Sequence, residues 1–282
     1  MNKLLSTTFG RKSFGLRANT PLSDDQLYRV APSIFAIDKH ESRSDRYTYI
    51  PTIDVLNGLR KEGFQPFMVA QSRSRIEGKS DFTKHMLRLR TAEKIDSPEA
   101  FEIILINSHD GTSSYQMLAG VFRFVCQNGM VTGDTINDIR VPHRGNITDN
   151  VIDAAFTISE EFELIDNSMH EMKSTILTPE ESNIFATAAL GLKYEEDKEP
   201  ISSSQLLLPR RIADKQPDLW SVTNRIQENL IRGGLPGQTV NGKRTTTRAV
   251  KSIDTNVKLN KSLWILTEKM TELKKANKGI LQ

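Results

Sequence analysis

Hydrophobic positions change their period along the first half of the chain, and each change predicts an element. Thr52 can cap a helix in which Ile53, Leu56 and Leu59 share a face, with Gly63 as its stop. Residues 67–75, FMVAQSRSR, then alternate and predict a strand, with Arg73 and Arg75 on one side. After a turn through IEGKSD, residues 82–90, FTKHMLRLR, alternate again. Lys84, Met86, Arg88 and Arg90 fall on one face there, and His85, Leu87 and Leu89 on the other. Residues 101–107, FEIILIN, are almost continuously apolar, as an interior strand would be. The string YQMLAGVFRFVCQNG predicts an apolar helix ending at Asn128 and Gly129. Residues 28–37, broken at Pro32, predict a short strand, and the first 27 residues, which show no period, an arm.

Helical spacing dominates the second half. Ala155, Phe162, Ile165, Met169, Met172 and Ile176 keep to it, and Thr178-Pro179-Glu180-Glu181 is a helix start with cap, proline and reciprocal glutamate. Residues 193–205 predict a linker. PDLWSVTNRIQENLIRGG predicts a helix stopped by two glycines, and LPGQTVNGKRTTTRAV an aperiodic loop. In the last helix Leu259, Leu263, Leu266, Met270 and Leu273 form a stripe suited to a core or to self-association into a homo-oligomer. The expected fold is therefore α+β: an arm (1–27), a domain with an antiparallel sheet ordered helix-strand-strand-strand-helix (28–145), and a mainly helical region (146–282).

Composition narrows the function classes. A hydrophobic content of 37% with 26% charged residues is that of a globular protein, and no apolar run approaches the roughly 18 residues that span a bilayer. The first twenty residues turn polar and basic too early for a signal peptide. With one cysteine, Cys126, an internal disulfide is excluded and the expected location is cytoplasmic. Charge is segregated. Residues 1–145 carry 20 basic and 16 acidic side chains (+4), residues 146–200 carry 3 and 13 (−10), and residues 201–282 carry 15 and 6 (+9). Such flanks suit a polyanion as partner, although solvated helix faces give the same pattern.

Among candidate sites, Arg73, Arg75, Lys84, Arg88 and Arg90 stand at period-two positions of two successive strands, with only Glu77 and Asp81 as acids between Gln65 and Arg90. Guanidinium forks on one sheet face would track phosphates. Arg43, Arg46, Lys243, Arg244 and Arg248 would add to them, and Tyr47, Tyr49, Phe64 and Phe67 could offer stacking surfaces. The stretch NSHDGTSSYQML predicts a turn whose Gly111, Thr112, Ser113 and Ser114 lead into a helix, so that backbone N–H groups could seat an anion. Its catalytic reading is weak, because adjacent His109 and Asp110 diverge along a strand. His40, His85, His109, His143 and His170 are scattered, without metal-ligand spacing, and no phosphate-binding glycine motif is present. Neither a metal nor a cofactor is expected.

The strings HESRSDRYTYIPT, EGFQPFMVAQSRSR, TKHMLRLR, NSHDGTSSYQMLAGVFRFVCQNGMV, VPHRG and QENLIRGG resemble a prophage- and plasmid-borne family known as domain of unknown function nine-three-two, over roughly residues 28–270. That resemblance implies a bacterial mobile-element setting near anti-restriction and DNA-repair-like genes, and no activity. More loosely, the element order and LRKEGFQPF are similar to single-strand annealing proteins of the Rad fifty-two type, which implies single-stranded DNA binding along a basic groove and assembly into rings or filaments. The leading expectation is a non-enzymatic protein binding single-stranded DNA, or RNA, in recombination. The alternatives are a host-protein-binding inhibitor of a defence system that uses its acidic helices, and a metal-dependent hydrolase or nuclease around His109, Asp110 and His143.

Overall fold

A computed structural model describes residues 13–36, 51–74, 78–91, 99–111, 113–124, 128–132, 139–141 and 147–280. The chain divides into two compact units. One comprises Met1–Val125, Thr135–Phe162 and Lys251–Asp254, the other Cys126–Asp134, Glu163–Val250 and Thr255–Gln282. The protein is α+β, with an antiparallel sheet in its N-terminal half and most of its helices in the C-terminal half.

In the first unit the elements are β1 (Ser13–Arg17), α1 (Asp24–Val30), α2 (Thr52–Lys61), β2 (Phe64–Ser72), β3 (His85–Thr91), β4 (Glu99–Asn107), β5 (Tyr115–Arg123), β7 (Ile139–Val141) and α3 (Ile147–Glu160); β6 (Asn128–Val131) falls to the second unit. Strand order is β1-β2-β3-β4-β5, every pair antiparallel, with β7 also along β5. The alternating segments hold strands β2 and β3, with β2 ending at Ser72 rather than at residue 75, and Gly63, at φ 90°, ends α2.

Three expectations are corrected. The apolar run from Tyr115 is a strand, not a helix: it pairs with β4 without a slip from Glu99 opposite Arg123 to Ile106 opposite Gln116. A segment apolar at almost every position satisfies both periods, and pairing with a neighbouring strand decides between them. Within the expected arm, residues 13–17 form edge strand β1 and Ser23 opens α1 through a capping box with Gln26. Residues 28–37, read as a strand, instead hold the end of α1 and a 3-10 turn at Pro32–Phe35.

The sheet curls. Arg17 on β1 lies 4.7 Å from the ring centre of Phe122 on β5, although three strands separate them in the sheet. Arg88 and Arg90 on β3 point into the space so enclosed and meet Glu102 of β4. Arg88 Nη1 donates to Glu102 Oε2 at 2.6 Å, and Arg90 donates through Nε and Nη2 to Oε1 at 2.8 and 2.7 Å. Glu102 is 0% exposed and Arg88 2%. The Arg90 guanidinium also lies over Phe122 and Phe67, at 4.0 and 4.8 Å. Burial pushes the Glu102 carboxyl up, but Arg88, Arg90 and Arg17 outweigh it and hold the group below its ordinary value.

The second unit contains α4 (Phe162–Ser174), α5 (Pro179–Gly191), α6 (Ser203–Leu206), α7 (Leu219–Arg232), a hairpin of β8 (Pro236–Gln238) and β9 (Arg244–Thr246), and most of α8 (Ile253–Ile280). Thr178 and Glu181 form the expected capping box of α5, and Asp218 caps α7. Helix α7 is buried on its polar side as well, and its polar residues find partners. Thr223 meets Thr267 at 3.1 Å, Gln227 donates to Asn260 at 2.8 Å, and Asn229 donates to the carbonyls of Leu206 and Leu208. The buried line of α8 accordingly runs through Asn260, Leu263, Trp264, Thr267 and Thr271, and the expected stripe leaves the interior at Leu273. Among the described residues no helix is long and apolar enough to cross a membrane.

Glu102→Gln leaves two buried guanidiniums sharing no anion. It is expected to cost about 3–5 kcal/mol of unfolding free energy, the range for breaking a buried ion pair from one side, as read from urea denaturation.

Candidate nucleic-acid interface

Burial removes Arg88 and Arg90 of the predicted sheet-face cations from contact with a ligand. Arg88 and Arg90 are internal, bound to Glu102, because β3 is covered on both sides and period two fixes which residues share a face but not which face meets solvent. Lys84 Nζ is held by both carboxylate oxygens of Asp254 at 2.7 and 2.9 Å. Arg73 is exposed just beyond β2, and Arg75, Arg43 and Arg46 lie outside the described residues. The proposed stacking rings Phe64 and Phe67 are buried, and Tyr47 and Tyr49 lie outside the described residues.

The anion-seat turn is corrected as well. Since Tyr115 begins a strand, no helix start follows Gly111, Ser113 and Ser114, and the stretch is a hairpin loop between β4 and β5. Gly111 takes φ 77°, Ser113 N donates to Ser108 Oγ at 2.8 Å, and Ser113 Oγ donates to the Ser114 carbonyl. Ser108 and Ser113 thus bond within the turn. Thr112, His40 and His143 lie outside the described residues, and among the described residues no His, Cys, Asp and Glu cluster could hold a metal ion.

Sequence spacing missed a buried polar network on the other side of the sheet. The Gln71 amide is oriented by donating Nε2 to the Ser80 carbonyl at 2.7 Å, which turns its oxygen toward Ser33. Ser33 Oγ donates to that oxygen at 2.8 Å, so it accepts from His85 Nδ1, also at 2.8 Å. His85 Nε2 is then the lone-pair nitrogen and takes the Thr52 hydroxyl proton at 2.9 Å. Thr52 Oγ1 in turn accepts from Asn107 Nδ2 at 3.1 Å and His109 Nε2 at 3.2 Å. Thr52 therefore does not cap α2; Pro51 occupies that position. A hydroxyl bonded to an oriented imidazole has the bonding of a nucleophile and its base. Thr52, His85, His109, Asn107 and Tyr115 are all 0% exposed, however, so no substrate reaches the hydroxyl, and the network works as a lock joining α2 to three strands. Asp110, beside it, pairs with Lys79 at 3.4 Å.

Also open to solvent is the predicted basic loop, which is the β8–β9 hairpin. Lys243, Arg244 and Arg248 are exposed on it or just after it, as is Val240 at its tip, and none of the three cations forms an ion pair among the described residues. The ribbon has a built base. Gly233, at φ 62°, lies so close to the chain leaving β9 that a Cβ would fall 2.6 Å from the Thr247 carbonyl oxygen. Gly234 N donates to Thr247 O, and Thr247 N to Leu235 O. Lys193 Nζ donates to the carbonyls of Leu230 and Arg248, and burial pushes its ammonium down to about 8. At the tip, Gly242 N donates to the Thr239 carbonyl and takes φ 73°.

Residues 39–264 match a domain of unknown function, DUF932. Two Escherichia coli (strain K12) proteins are similar over almost their whole length. UPF0380 protein YafZ is 49% identical over 264 residues, 94% of this chain and 96% of its own, and UPF0380 protein YfjQ is 50% identical over the same shares. The chain belongs to the DUF932 family. No solved structure matches it. The DUF932 region includes strands β2 to β9, with the hairpin, and the polar lock apart from Ser33; β1 and Ser33 precede it.

Burial, first, and the neighbouring His109, second, lower the His85 pKa well below 6.5, against a weaker opposing contribution from the Thr83 carbonyl. The unfolded chain protonates near pH 6.5 while the folded chain does not. The contribution of His85 is thus fully present above pH 6.5 and is lost as the pH falls toward the folded-state value. Unfolding free energy measured from pH 7.5 to 5 is expected to decline below about 6.5, by up to about 1.4 kcal/mol per pH unit for this one group. A profile without this decline would show that His85 is protonated in place.

Proposed function

We propose that this DUF932 protein binds nucleic acid, gripping the phosphate backbone with the β8–β9 ribbon. One observation carries the reading. Lys243 and Arg244 stand exposed on a hydrogen-bonded hairpin and Arg248 just after it, in a stretch with four cations and no acid between Arg232 and Asp254. A two-stranded ribbon is narrow enough to lie along a nucleic-acid groove or a single strand, and its backbone pairing keeps the cations at fixed spacing. Arginine forks donate two parallel bonds to phosphate oxygens, and lysine adds a point charge. Burial of Arg88 and Arg90 around Glu102 leaves Lys243, Arg244 and Arg248, together with Arg73, as the exposed candidate cations among the described residues.

The reading is non-enzymatic: its contacts bind a polyanion and perform no bond chemistry. It also accounts for the segregation of charge along the chain, because the hairpin lies in the +9 segment of residues 201–282.

Lys243→Ala, Arg244→Ala and Arg248→Ala, combined, are expected to weaken binding to a labelled oligonucleotide. The combined change should reduce the slope of log K against log salt by about 2–3, at roughly 0.7–0.9 per phosphate contact. The far-ultraviolet dichroism spectrum should not change. Fluorescence anisotropy across a salt series checks this, and an unchanged affinity and slope would rule the ribbon out.

A further inference from the structure

The hairpin forms one wall of an open groove of about 850 Å³, whose other wall is the segment from Glu199 to Gln205. The two walls are joined by backbone contact. Gln238 N donates to the Pro200 carbonyl at 2.8 Å, and Gln205 Nε2 donates to the Pro236 carbonyl at 2.8 Å. Gly237 comes so close to Pro200 that a Cβ there would fall 2.0 Å from its carbonyl oxygen. A side chain at this position would push the walls apart, so the groove depends on glycine.

The groove is lined by hydroxyls and amides alongside apolar Pro200, Ile201, Pro236 and Val240, with one charge of each sign. Ser202, Gln205, Thr239 and Thr245 supply the polar wall, Arg244 the cation and Glu199 the carboxylate. Arg244 is also one of the three cations of the ribbon, so a phosphate held by it places the attached sugar and base beside the groove. A carboxylate such as Glu199 accepts from the amino and imino N–H groups on the pairing edge of a base. In a duplex those groups are already paired and the base is stacked. In a single strand they are free.

Resting on the nucleic-acid reading of the hairpin, we infer that this groove receives one unstacked base of a single strand, with Arg244 on its phosphate and Glu199 on its pairing edge. The ribbon then prefers single strands to duplexes because only the former can fill the groove. Phosphate contacts set the affinity, and the groove sets the strand state.

The test uses the full chain and a mixed-sequence labelled oligonucleotide, alone and annealed to its complement, by anisotropy at two salt concentrations. Wild type is expected to bind the single strand about tenfold more tightly than the duplex, the size of one good base contact. Thr245→Leu, which fills the groove with an uncharged, non-aromatic side chain, should bring single-strand affinity to the duplex level with an unchanged salt slope. Glu199→Gln, which leaves the groove open, should lower single-strand affinity several-fold and leave duplex binding as it is. Equal wild-type affinity for the two forms, or an unaltered preference in both variants, overturns the groove assignment while the effect of the ribbon alanines stands. Absence of binding to either form overturns the ribbon reading, and the groove assignment with it.

Discussion

A single carboxylate, Glu102, sets the arrangement of the sheet. Two guanidiniums from β3 reach it inside the curl, and Arg17 from β1 contributes to holding it ionised. A charge that far from water is tolerated only with its partners and their hydrogen bonds in place. The sheet therefore has to bend until β1 and β5 face one another across the cluster, with the rings of Phe67 and Phe122 closing over Arg90. The consequence for function is direct. The arginines that a reading of β3 alone would offer to a ligand are consumed in holding the fold.

The opposite face of the sheet follows the same rule with neutral groups. Ser33, Gln71, His85, Thr52, Asn107 and His109 form one chain of hydrogen bonds in which each donor has a defined acceptor, beginning from the fixed carbonyl of Ser80. Such a chain fixes the imidazole tautomer of His85 and ties the start of α2 to the sheet. Histidine and threonine in hydrogen-bond contact would suggest chemistry in an open cleft. Sealed from solvent, they give specificity of packing. In the second unit, α7 repeats this economy with Glu228, which binds Arg211 and Arg232 while the neighbouring amides cross to α8 and to the carbonyls near α6.

Against this background the β8–β9 hairpin differs in kind. Its cations have no carboxylate to hold among the described residues, its glycines make room for close backbone approach at its base and beside Pro200, and its polar side chains line an open groove. Among the described residues, Lys84, Arg88, Arg90, His85 and Ser113 are spent internally. This ribbon leaves its charge exposed.

Local signals were enough to read several elements from the sequence. The capping box at Thr178, the glycine stop of α7, the end of α2 at Gly63 and the alternation of β2 and β3 all depend on residues within a turn or two of each other, so local chemistry determines them. The basic character of residues 243–248 was legible for the same reason. The helix expected from Tyr115 was not, because a run apolar on every side fits either period and only pairing with β4 settles it. Nor was the inward direction of Arg88 and Arg90. Alternation groups them on one face, and the available hint was Glu102, an acid inside the apolar run of β4 that needs buried cations as neighbours. The sequence by itself determined which residues share a face and where helices begin and end. Tertiary structure decided which face meets water, because curvature and the pairing of a buried charge are set between strands distant along the chain.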